Sequence, residues 1–113
     1  MKIDAVRKYV MLQEAVTEEP HHQSSSFRVR GKIFVTVPPP GDFIHVFVDE
    51  EDRETALVLY PSFVEKLFWG GKVVGLRVAL AQANITAVKS LVGKAYETRV
   101  RKDAGKKSSR PSP

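Results

Sequence analysis

The stretch Phe27-Arg-Val-Arg-Gly-Lys-Ile-Phe-Val-Thr-Val37 alternates apolar with polar side chains along its length. Side chains of a strand point to opposite faces with a period of two, so the spacing predicts one long half-buried strand over 27–37. Phe27, Val29, Ile33, Val35 and Val37, with Gly31 among them, fall on the inner face. Arg28, Arg30, Lys32, Phe34 and Thr36 fall on the outer one. That outer face would show three cations in a row followed by an aromatic ring.

Working outward, residues 3–16 read as an amphipathic helix, with Ile3, Val6, Val10 and Ala15 near one stripe. Pro20 ends it, and His21-His22-Gln-Ser-Ser-Ser26 reads as a polar loop. Pro38-Pro-Pro-Gly-Asp42 is a turn, because prolines cannot donate to a sheet ladder. Phe43 to Val48 is strand-like, so 27–37 and 43–48 predict an antiparallel hairpin. Asp49 is a fitting N-cap, and Glu50, Glu51 and Asp52 suit the positive end of a helix dipole, so a helix runs from there to Pro61. Residues 62–69 suit a short strand or a last helical turn equally. Gly70-Gly71-Lys72 is a turn, Val73 to Leu80 a strand, and Asn84 caps a last helix over 85–100. The order is α-β-β-α-β-β-α, the strand at 62–69 being the open one. It predicts an α+β fold, an antiparallel sheet with helices packed on one face.

The chain has 113 residues and no cysteine. That excludes disulfides, zinc-thiolate sites and a thiol nucleophile. Its length suits a single domain over 1–100, and 101–113 reads as a disordered basic tail. No apolar run approaches the length a bilayer-spanning helix needs. The charged start Met1-Lys-Ile-Asp-Ala-Val-Arg-Lys is unlike a signal peptide, so a cytoplasmic, monomeric protein without a membrane partner is the expectation. Residues 1–98 carry 12 charges of each sign; Arg99, Arg101, Lys102, Lys106, Lys107 and Arg110 against Asp103 supply the whole excess of +5.

The segments Glu19-Pro-His-His22, Ser26-Phe-Arg-Val-Arg-Gly-Lys-Ile-Phe-Val35, Trp69-Gly-Gly-Lys72 and Gly75-Leu-Arg-Val-Ala-Leu80 together resemble the YjbR/MmcQ family. The resemblance covers residues 1–100, and Phe27-x-Val-x-Gly-Lys-x-Phe34 is its most specific part. It implies a compact CyaY-like (frataxin-like) fold, and DNA binding through a "double wing" of two projecting hairpins. It implies no catalytic or metal-binding residue. The chain departs from the family at 69–75: a tryptophan usually sits just before the next strand, and here Trp69-Gly-Gly intervenes. That leaves the second wing's shape open.

The nucleic-acid-binding candidates are Arg28, Arg30 and Lys32, extended by Lys72 and Arg77, with His45 and Phe47 across the hairpin. The competing reading is a solvated sheet face covered by long basic side chains. Glu65, Asp42 and Glu97 decide between them: acids around the arginines would argue against DNA. Trp69 and Phe34 are candidates for contact with a protein or small ligand, Trp69 alternatively being a core anchor.

Other constellations fall away. Arg30-Gly-Lys-Ile-Phe-Val-Thr-Val37 matches an RNA-recognition motif only in part and sits in the wrong element order. His21 and His22 are adjacent and read as loop; the acids 49–54 need only the helix dipole as a reason. Neither predicts a metal. No nucleophile motif, P-loop or dinucleotide loop is present, so no catalytic residue and no cofactor are expected. The expectation is a non-enzymatic DNA-binding protein contacting phosphates without sequence readout. The alternative is a protein- or ligand-binding module.

Overall fold

A computed structural model describes residues 1–109, with side chains through residue 101. In it the Phe27–Val37 stretch is two strands, β2 (Ser24–Val29) and β3 (Lys32–Val37). Arg30 and Gly31 both take left-handed angles, φ 55 and 78. This is the two-residue turn whose twist matches that of paired strands. A non-glycine residue there carries strain of order 1 kcal/mol, which the neighbouring glycine and the ladder on either side outweigh. The expected single strand is thus corrected to a hairpin.

A bulge then resets the alternation. Phe27 pairs with Val35 and Arg28 with Ile33, so Phe34 is the extra residue of β3. It turns inward beside Val35, and Ile33 moves to the face of Arg28. The expected outward Phe34 is fully buried instead, its ring 5.7 Å from that of Tyr96 and edge-on to it.

The remaining elements are α1 (Ile3–Val10), β1 (Val16–His21), β4 (Phe43–Val46), α2 (Glu50–Leu59), β5 (Val64–Trp69), β6 (Lys72–Ala79) and α3 (Ile85–Ser109). The expected helix over 3–16 stops at Val10, and the chain enters an edge strand at Val16; the expected polar loop 21–26 is the last residue of β1, a turn at 22–23 and the first three residues of β2. β1 buries only Val16, and it tolerates Pro20 because an edge strand has one unpaired side. The ambiguous segment at 62–69 resolves as strand β5.

The six strands form one antiparallel sheet in the order β1-β2-β3-β4-β6-β5. The core lies between one sheet face and the helices. Phe27, Phe34, Ile44, Val46, Leu76 and Val78 meet Val6 and Val10 of α1 and Val88, Leu91, Val92 and Ala95 of α3. Burying each large apolar side chain contributes about 1.5–3 kcal/mol. Asn84 caps α3, its side-chain oxygen accepting the Ala87 N–H at 2.8 Å. This helix overruns its expected end near residue 100, since Arg99, Arg101, Lys102 and Ala104 are good helix formers and no proline follows before Pro111. Most of the expected disordered tail, 101–113, concerns side chains outside the described part, and 110–113 lie outside the described residues altogether.

Candidate functional site

The face of the sheet away from the helices carries a polar row that crosses all six strands. In order the residues are Glu19, Ser26, Thr36, His45, Arg77 and Glu65, each facing the next across a strand pair. Their side chains are close enough to interact directly. At one end Ser26 donates its hydroxyl to the Glu19 carbonyl at 2.8 Å and accepts from Arg28 Nε at 3.0 Å. Arg28 Nε also lies 3.9 Å from the Glu19 carboxylate. At the other end Arg77 donates Nη1 to Glu65 Oε2 at 2.9 Å, while its guanidinium lies 3.7 Å from the centroid of the Phe43 ring. Between them, burial pushes the His45 imidazole below its ordinary pKa, and the Arg77 charge pushes it further the same way.

The five nucleic-acid candidates do not form one patch. Arg28 and Arg77 lie on the open face, each beside its own carboxylate. Arg30 occupies the β2–β3 turn. Lys32 pairs with Val29 and so shares the helix-side orientation of that residue. Lys72 flanks the Gly70-Gly71 turn opposite Trp69. The expected row of three cations on one face is lost because the stretch turns at Arg30-Gly31. Of the three deciding acids, Glu65 stands beside Arg77, not beside Arg28, Arg30 and Lys32; the carboxylate beside Arg28 is Glu19.

Two features of the open face come from strand lengths. β4 ends at Val46, while its neighbours β3 and β6 run on to Lys32 and Lys72. The β2–β3 and β5–β6 hairpins therefore project beyond it, ending in Arg30-Gly31 and Gly70-Gly71, the latter with φ 59 and 82. Where β4 stops, a cleft of about 250 Å3 opens between the hairpins. Phe47 and Trp69 wall one side of it, with ring centroids 5.4 Å apart. Ile33 and Val74 supply further apolar wall, and Thr36 and His21 border it.

Trp69 is 54% exposed, so it belongs to this cleft and not to the core. Arg99 of α3 reaches the same place and donates Nε to the Ile33 carbonyl at 2.8 Å. That carbonyl lies where β3 has run past the end of β4. The sequence reading counted Arg99 only as tail charge. Its spacing from Tyr96 and Ala95 on the helix was the signal that it returns to the sheet.

Among the described residues no group of three His, Asp or Glu side chains is placed to hold a metal ion. His21 and His22 stack obliquely on each other at 4.6 Å. No helix there is long and apolar enough to cross a membrane.

Comparison with known proteins gives one family. The model of the family described as YjbR matches residues 11–98. No curated protein matches the chain.

Proposed function

The chain belongs to the YjbR family, and from that footing we propose that it is a cytoplasmic, non-catalytic protein that binds DNA by setting the ends of two hairpins against the phosphate backbone. The observation that carries this reading is the early end of β4 at Val46, which leaves both neighbouring hairpins projecting. Arg30 and Lys32 sit at one end and Lys72 at the other, and neither 29–32 nor 69–72 contains an acid. Arg28 and Arg77, each beside a carboxylate, serve to order the sheet face. Phosphate contacts position a protein without reading sequence, so binding would be salt-dependent and indifferent to sequence.

The test is fluorescence anisotropy of a labelled duplex titrated with the full chain, at low and near-physiological salt. The reading requires that Arg30→Glu combined with Lys72→Glu weaken binding strongly. It also requires that Arg77→Ala, which removes an open-face cation, change it little. Equal loss from both variants would sink the hairpin-end reading. A second reading, a ligand-binding module, is favoured by the exposed Trp69 beside a cleft.

A further inference from the structure

We propose that the cleft between the two hairpins is a binding site for a small planar carboxylate, a single aromatic ring bearing one carboxyl group. The inference is independent of DNA binding, since it uses none of the hairpin-end cations Arg30, Lys32 and Lys72.

Size sets the first limit. The cleft holds about 250 Å3, below the roughly 300–1,000 Å3 of sites for drug-sized ligands. A single ring fits that space better than a nucleotide. The walls set the second. The indole of Trp69 and the ring of Phe47, with Ile33 and Val74, present flat and branched apolar surface. Aromatic pairs favour offset or tilted packing, and the half-exposed indole offers a face for it. Phe47 packs closely over Gly75, where an added Cβ would lie 3.2 Å from Phe47 Cδ1.

Charge sets the third. A guanidinium has five N–H donors, and Arg99 spends its Nε–H on the Ile33 carbonyl. Among the described residues Arg99 has no ion pair. Arg99 also lines a neighbouring depression with Asp49, Glu50, Arg53, Val73 and Thr98. Arg101 is paired there with Asp49 at 3.5 Å, and Arg53 donates to the Val48 carbonyl. Arg99 is thus fixed through Nε, and a guanidinium keeps further donors on its terminal nitrogens with which it can meet a carboxylate in a fork. The Thr36 hydroxyl adds a neutral donor at the cleft border.

Trp69 is the chain's single tryptophan, so its fluorescence reports on the cleft alone. The probe is benzoate, titrated into the full chain, with benzamide as the uncharged ring of the same shape and cyclohexanecarboxylate as the charged non-planar control. The expected result is a saturable change in Trp69 emission with benzoate. Benzamide and Arg99→Gln should each bind at least about tenfold more weakly, as loss of a charge-assisted hydrogen bond implies. The benzoate–benzamide comparison needs no variant and stands if Arg99→Gln fails to fold. Equal binding of benzoate and benzamide would overturn the proposal, as would a non-saturable response or unchanged binding by a folded Arg99→Gln. Cyclohexanecarboxylate binding as well as benzoate would remove the requirement for a planar ring. Arg30→Glu with Lys72→Glu should leave benzoate binding intact, so this site and the DNA reading can fail separately.

Discussion

Phe47 lies over Gly75: a Cβ at position 75 would come within 3.2 Å of Phe47 Cδ1 and would collide with the Val46 carbonyl oxygen. β4 and β6 approach closely at this point, and backbone cannot give way as a flexible side chain can. Gly75→Ala should therefore destabilise the chain by about 1–3 kcal/mol, the cost of overpacking, although alanine normally has the better strand and helix character. Urea denaturation followed by circular dichroism measures it. A midpoint equal to that of the parent chain would mean that the two strands separate freely.

Phe34→Ala should cost about 3–5 kcal/mol, as expected for removal of a large ring from a packed core. Were Phe34 on the outer face, the cost would be within about 0.5 kcal/mol. The two values are far enough apart for a single denaturation curve to place the residue.

The pH dependence of stability should carry a signature of His45. Burial and the Arg77 charge lower its folded pKa, so the unfolded chain binds its proton more readily. The stability this contributes is complete above the unfolded value of about 6.5. It is lost as pH falls from there through the folded pKa. Thermal melts between neutral and mildly acid pH should show Tm falling in that window. His45→Gln should flatten the slope; an unchanged slope would assign the loss to carboxylates titrating lower, Glu18 among them. Burial by itself would raise the Glu18 pKa, but hydrogen bonds from Arg7 and Ser25 and the Arg7 charge hold it below its ordinary value.

The Arg77–Glu65 pair is exposed, at 40% and 62% for the two side chains, and should be weak. A double-mutant cycle with Arg77→Ala and Glu65→Ala should return a coupling of about 0.2–1 kcal/mol, reduced by added salt. A larger, salt-insensitive coupling would show that the Phe43 ring shields the pair from water.

The α+β class and the outline of the sheet could be read from the chain because β4, β6 from Gly75 onward and α3 follow one period each. In β6, Leu76 and Val78 go inward and Gly75 and Arg77 outward, as alternation requires. The first hairpin was not legible as such. Arg30-Gly31 interrupts an alternating pattern without changing its apparent phase, and arginine is not a residue that announces a left-handed turn. The Phe34 bulge then shifts the phase once more, and a bulge leaves no mark in a periodic reading. β1 was hidden because an edge strand with one buried residue looks like a loop. Of the candidate site, Trp69, Lys72 and the Gly70-Gly71 end of the second hairpin were visible as composition beside glycines. The cleft was not, because it depends on β4 being shorter than its neighbours and on a side chain arriving from α3.

The two borders of the sheet differ in what they offer a passing chain. β1 carries Pro20, which has no N–H to share, and Glu18 and Glu19 beside it. β5 has no proline, and it ends in Phe68 and Trp69, both more than half exposed. Its protection is limited to Glu65, Lys66 and the irregularity between Leu67 and Phe68. At high concentration, or after partial melting, strand-to-strand self-association would begin at β5. A lysine replacing Phe68 would improve solubility there more than any change at β1.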